Sequence, residues 1–208
     1  MKKLLHIIAT PRDEASRTLR VSGAFIDAFK TAHPDWTIDE LNLFKAELPS
    51  LTVEQVDGKY ALLSGKDLYG DLKESWEEIV FQIERFLSAD GYLLSTPMWN
   101  FSTPYVLKQY LDVIVQPKYL FRYTAKGVEG LVKNRKMVIV TSCGGDYSAP
   151  PMNAFDFQES YLKAIFNFVG ITDITFINAQ PMDALGPQVR DQKIETAKAA
   201  AQKTGSKF

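Results

Sequence analysis

The sequence predicts an α/β fold, a doubly wound sheet of about five parallel strands with helices on both faces. Three observations carry that expectation. Five short apolar runs, at residues 4–9, 36–43, 91–96, 136–142 and 174–179, alternate with segments whose apolar side chains recur at helical spacing. Most of these runs are nearly continuous in Leu, Ile, Val and Met, as strands buried on both faces require. No repeat, low-complexity tract or linker divides the 208 residues, so one domain over 1–208 is expected.

The first run is followed by a polar loop and then by Val21, Phe25, Ala28, Phe29 and Ala32 at helical spacing, a pattern that His33-Pro34 ends. Residues 36–43 alternate with one step out of phase and read as the second strand. Residues 49–70 read as a long surface excursion. Asp71 and Glu74 have capping-box spacing ahead of a helix carrying Trp76, Ile79, Val80, Ile83, Phe86 and Leu87. After the third strand, Thr103 as N-cap and Pro104 at the first helical position predict a helix through Ile114. After the fourth, Asp156 and Glu159 form a second capping box, and Gly170 stands in the C-cap place. The last helix follows Pro187.

Hydrophobic residues make up 46%, aromatics 12% and charged residues 24%, the composition of a chain able to bury a substantial core. Twenty-four basic and 25 acidic residues leave a formal charge of -1, which gives no global field for nucleic acid or an anionic membrane. The single cysteine, Cys143, excludes an intrachain disulfide and a thiolate metal cluster, so no metal site is expected. The N-terminal apolar run stops at Thr10-Pro11, short of a signal peptide, and no stretch approaches the roughly 20 apolar residues of a membrane span. A cytoplasmic location is the expectation.

Ligands of open parallel sheets bind outside the carboxyl ends of the strands, which directs attention to three loops. The first places Thr10, Ser16, Arg17 and Thr18 before a helix, where hydroxyls, free amides and the positive helix end suit a phosphate. Ser16 can equally be a plain helix cap. The second loop, Pro97-Met98-Trp99-Asn100-Phe101, joins apolar surface to one amide side chain, a mixture suited to a flat heterocycle. The third contains Ser142, Cys143, Gly144 and Gly145, with glycines where backbone can approach a ring. Neither the dinucleotide glycine fingerprint nor the P-loop pattern occurs. Phosphate, chain and ring together match flavin mononucleotide. His6 and His33 receive no role, and Cys143 reads as a small apolar residue rather than a reactive thiol.

The second loop, the segment Phe121-Arg122-Tyr123-Thr124 and the run Thr141-Ser142-Cys143-Gly144-Gly145 resemble the FMN-dependent NADH-azoreductase family of flavodoxin-like quinone and azo reductases. Gly127-Val128-Glu129-Gly130-Leu131 and Gly170-Ile171 fit the same pattern. The resemblance implies bound FMN, NADH or NADPH as donor, a quinone or azo compound as acceptor, and Tyr123 on the substrate side. It also implies a homodimer, with residues 117–131 helping to wall the site. Trp99 stands where tyrosine is also frequent, and Cys143 where arginine is often found. In such enzymes the flavin carries the chemistry, so no catalytic side chain is assigned. The competing class is a flavodoxin-like electron carrier without its own NAD(P)H oxidation, but such carriers are usually markedly acidic. A receiver domain is disfavoured because Ala9-Thr10-Pro11 lacks an acidic cluster at the exit of the first strand.

Overall fold

Parallel pairing across the whole central sheet fixes where the strand ends meet. The computed structural model describes residues 1–208. The sheet is built from β1 (Lys2–Ile8), β2 (Trp36–Asn42), β3 (Gly91–Pro97), the later β6 (Lys136–Ser142) and β7 (Asp173–Ala179), in the order β2-β1-β3-β6-β7. Between β3 and β6 lies an antiparallel hairpin, β4 (Phe121–Thr124) and β5 (Gly127–Gly130). The winding reverses between β1 and β3, and register sets Ile8 beside Ser95, Pro97 beside Ser142, and Ser142 beside Ala179. The carboxyl ends of four strands are therefore level at the reversal point, where a crevice forms.

The helices are α1 (Arg17–Ala32), α2 (Val53–Leu63), α3 (Asp71–Glu74), α4 (Glu77–Leu87), α5 (Tyr105–Ile114), α6 (Phe157–Val169) and α7 (Gly186–Gly205). On one face, Val21, Phe25 and Phe29 of α1 and Ile194, Ala197 and Ala201 of α7 pack over Leu4, Leu93, Val138 and Ile177. The larger core lies opposite, where α4, α5 and α6 bury Ile83, Phe86, Leu107, Tyr110 and Phe166 against Leu5, Ile7, Leu94 and Ile139. Each fully buried side chain of this kind contributes about 1.5–3 kcal/mol. Alternation of Leu4 and Leu5 between the two cores shows how one continuous apolar strand serves both faces.

Several local expectations shift. The excursion at 49–70 contains α2, where the Gln55 side chain accepts the Thr52 N–H at 2.9 Å. The helix expected from Asp71 is two helices: Gly70 precedes α3, Asp71 makes no capping bond, and Trp76 precedes α4. Pro104 is the N-cap of α5 with extended ψ of 145°, so Tyr105 is the first helical residue. Asp156 caps α6 by accepting from the Gln158 and Glu159 N–H groups, whereas the Glu159 carboxylate turns to Asn178 Nδ2 at 2.8 Å. Gly170 ends α6 at φ +105°. The hairpin docks there: a Cβ on Gly130 would lie 2.3 Å from the Gly170 nitrogen, so only glycine permits this approach.

Candidate cofactor site

The cavity at the reversal point begins with the loop after β1. Ser16 is the N-cap of α1, its Oγ accepting the Leu19 N–H at 3.3 Å, and the same side chain lines the cavity. The plain-cap and cavity readings of Ser16 thus hold together. The N–H groups of Arg17 and Thr18 have no acceptor in the chain, as expected in a first helical turn. Thr18 Oγ1 lies 2.6 Å from Ser142 Oγ, joining the first loop to the end of β6. Hydroxyls, open amides and the α1 dipole converge, which is what an anion requires.

The loop after β3 is a tight reversal in which Trp99 and Ser102 exchange both backbone hydrogen bonds, at 2.9 and 3.0 Å. Its central residues, Asn100 at φ 48° and Phe101 at φ 69°, are both left-handed. Asparagine tolerates that region, but a phenylalanine there stores strain of about 1–3 kcal/mol, which the surroundings must hold. They do so at three points. The Met98 N–H donates to Ser142 O at 2.9 Å, the Phe157 N–H to Phe101 O at 3.1 Å, and the buried Gln158 Nε2 to Pro97 O at 2.8 Å. The reversal leaves the N–H groups of Asn100 and Phe101 unpaired.

After β6, the carbonyl of Cys143 accepts the Met182 N–H at 2.9 Å, and the carbonyl of Gly144 accepts from Asp183 at 3.0 Å and Ala184 at 3.1 Å. The loops after β6 and β7 are thereby zipped together, while the N–H groups of Gly144 and Gly145 stay open. Burial, reinforced by the Asp156 carboxylate, pushes the Cys143 thiol up to about 12.

These loops enclose a cavity of about 280 Å³. Thr10, Ser16, Arg17, Thr18, Pro97, Met98, Trp99, Ser142, Cys143 and Gly144 all line it. Asn100 faces a neighbouring groove of about 850 Å³ that shares Trp99 with the cavity and includes Tyr105, Lys108 and Tyr161. Phe101 is exposed at the mouth, with ring centroids 5.7 Å from Phe155 and 6.3 Å from Tyr147, and a Cβ on Gly145 would meet that same Tyr147 ring at 3.3 Å. Tyr123 stands apart on the hairpin, two-thirds exposed and packed edge-on against Phe121.

Three further cavity residues, Arg12, Met182 and Asp183, were not anticipated. The guanidinium of Arg17 is held by the Asp183 carboxylate at 2.7 Å and the Met182 carbonyl at 3.2 Å, so its charge is already partnered. The loop after β7 carries no glycine pair or hydroxyl cluster to mark it. Its only sequence signal is its place at the carboxyl end of a parallel strand.

A family model described as the flavodoxin-like fold matches residues 2–204. An FMN-dependent NADH:quinone oxidoreductase from Nitratidesulfovibrio vulgaris is 36% identical over 209 residues, covering 100% of both chains. The chain belongs to the flavodoxin-like family of FMN-dependent quinone and azo reductases. An azoreductase of this family from Bacillus anthracis superposes with a TM-score of 0.91 at 28% identity, covering 100% of each chain. A Bacillus anthracis FMN-dependent NADH-azoreductase in complex with FMN gives a TM-score of 0.86 at 29% identity, covering 99% of this chain and 100% of that one. The relatives compared are named as oxidoreductases rather than electron carriers.

Proposed function

We propose that the chain is an FMN-dependent oxidoreductase that takes electrons from NADH and reduces quinones and azo compounds. The observation that carries this reading is the chemistry of the cavity: a cradle of hydroxyls and helix amides at one end, open backbone N–H groups and aromatic surface at the other. The donor set fits FMN. Thr10, Ser16 and Thr18, with the Arg17 and Thr18 amides, would hold the phosphate, and residues 97–101 with 142–145 would hold the ring.

When bound, FMN supplies hydride acceptance and donation, which no side chain here can perform. The protein's own contribution is electrostatic and positional. Open N–H groups at Asn100, Phe101, Gly144 and Gly145 are donors in place for negative charge that develops on a reduced ring. They would need little reorganisation, because the strained reversal and the zipped loops fix these peptide units. Trp99, shared between cavity and groove, offers a flat apolar wall to the nicotinamide and the acceptor, and the larger groove is open enough to admit either.

The active unit in this reading is a homodimer in the cytoplasm. Tyr105, Phe155 and Phe157 are exposed around the mouth with Phe101, an apolar rim that a second copy would cover while bringing its own hairpin and Tyr123 to the substrate side. No helix is long and apolar enough to cross a membrane.

The test is reconstitution. Purified protein titrated with FMN is expected to quench flavin fluorescence at a 1:1 ratio and then to oxidise NADH in the presence of a quinone or an azo dye, with parallel double-reciprocal plots. Absence of stoichiometric flavin binding overturns the reading.

A further inference from the structure

We propose that His6 is a positioning residue for the anion cradle, anchoring the first turn of α1 through a one-way chain of hydrogen bonds that ends on the Ser16 hydroxyl. The inference rests on reading that cradle as the FMN phosphate site.

His6 lies in the middle of β1, 2% exposed, on the sheet face that α1 covers. Its Nε2 is 2.8 Å from Ser95 Oγ, which is 2.6 Å from Ser22 Oγ. Ser22 Oγ donates to the Thr18 carbonyl at 3.1 Å, and across that same peptide the Leu19 N–H donates to Ser16 Oγ at 3.3 Å. The path runs from a strand interior to a side chain that lines the cavity.

Counting protons fixes its direction. Each serine hydroxyl has one proton. The proton of Ser22 goes to a carbonyl, which only accepts, so Ser22 must accept from Ser95. Ser95 then has no proton left for the imidazole and must accept from His6 Nε2–H. The reverse assignment would leave Nδ1–H as a buried donor, and Nδ1 has no partner. An orphaned N–H is the rarer and costlier outcome, so Nδ1 is the bare nitrogen. Burial holds the imidazole neutral, its pKa pushed down to about 4, as a single-donor role requires.

Every link therefore donates toward α1, and hydrogen bonds aligned in one sense polarise one another. Ser16 Oγ is committed as acceptor to Leu19, which leaves its proton to point into the cavity. Thr18 Oγ1 on Ser142 Oγ fixes the other edge of the turn. His6 touches no part of the cavity itself and acts only through this chain.

Riboflavin and FMN share a ring and differ in the phosphate, so titrating apoprotein with each separates cradle from ring. Wild type is expected to prefer FMN. His6→Leu is expected to weaken FMN by about tenfold and leave riboflavin within about twofold, the loss of one buried donor. His6→Gln, whose side-chain amide can donate to Ser95, is expected to recover most of the difference. Ser22→Ala cuts the chain at another link and provides the same reading if His6→Leu does not fold. Equal weakening of both flavins, or unchanged FMN affinity in the folded variants, overturns the proposal. A wild type indifferent to the phosphate overturns the cradle reading instead.

Discussion

At the scale of single residues, burial sets the chemistry of two titratable groups, Cys143 in the cavity wall and His6 behind it. With the Cys143 thiol raised to about 12, about one molecule in ten thousand carries the thiolate at pH 8. Iodoacetamide is therefore expected to label Cys143 far more slowly in the native protein than in denaturant, as read by mass spectrometry. Comparable rates would show an accessible thiolate. His6 is lowered from 6.5 to about 4 because the charged imidazole loses its hydration. The unfolded chain takes up a proton between pH 6.5 and 4 that the folded chain refuses, so stability is full above about 6.5 and falls as the pH approaches 4. The linked loss is on the order of 3 kcal/mol. Urea unfolding of wild type against His6→Gln across that window should show it as a difference in slope, since the remaining groups are common to both.

At the scale of elements, the seam between the hairpin and the end of α6 is the least forgiving. A methyl group on Gly130 would press on the backbone of Val169 and Gly170, both within 2.4 Å of it, and neither can yield without moving α6. Gly130→Ala is expected to cost about 2 kcal/mol and lower Tm by roughly 4–8 °C, whereas Val128→Ala, at an exposed position of the same strand, should change little. Calorimetry distinguishes the two. The glycines at 130 and 170 were legible in the sequence as a pattern, but their reason is a contact between segments forty residues apart. Asp156, Gly170 and the apolar stripe of α4 obey short-range rules and are legible locally. The elements that are not legible locally lack an apolar stripe or alternation. Helix α2 buries only Gly58 and Leu62, so it has almost no stripe to find, although Thr52 and Gln55 carry capping-box spacing. Strands β4 and β5 expose most of their side chains and show no useful alternation. In the site, three loops announced themselves by composition, while Asp183 depends on the pairing of β6 with β7 to arrive beside Arg17. The left-handed Phe101 runs against its own propensity and is imposed by α6.

At the scale of the whole molecule, exposed rings gather beside the loop after β3: Phe155 packs 5.7 Å from Phe101, the Phe157 N–H donates to the Phe101 carbonyl, and Tyr105 lines the neighbouring groove. Sedimentation velocity is expected to give twice the chain mass, and Phe157→Glu, a charge placed on an exposed ring position, is expected to shift the species toward the monomer. A wild-type monomer at micromolar concentration would remove the partner's hairpin from the reading.

The cavity draws on residues 10–18, 97–99, 142–144 and 182–183, so it is finished only when β7 has docked and its loop has been stitched to Gly144. During synthesis, a growing chain has no complete grip on FMN until all but the last helix has left the ribosome. FMN can therefore stabilise only a chain whose β7 has docked. Ligand at a hundred times its Kd adds about 2.7 kcal/mol to the native state alone. Chains that stall before the fifth parallel strand forgo that gain and stay within reach of proteases.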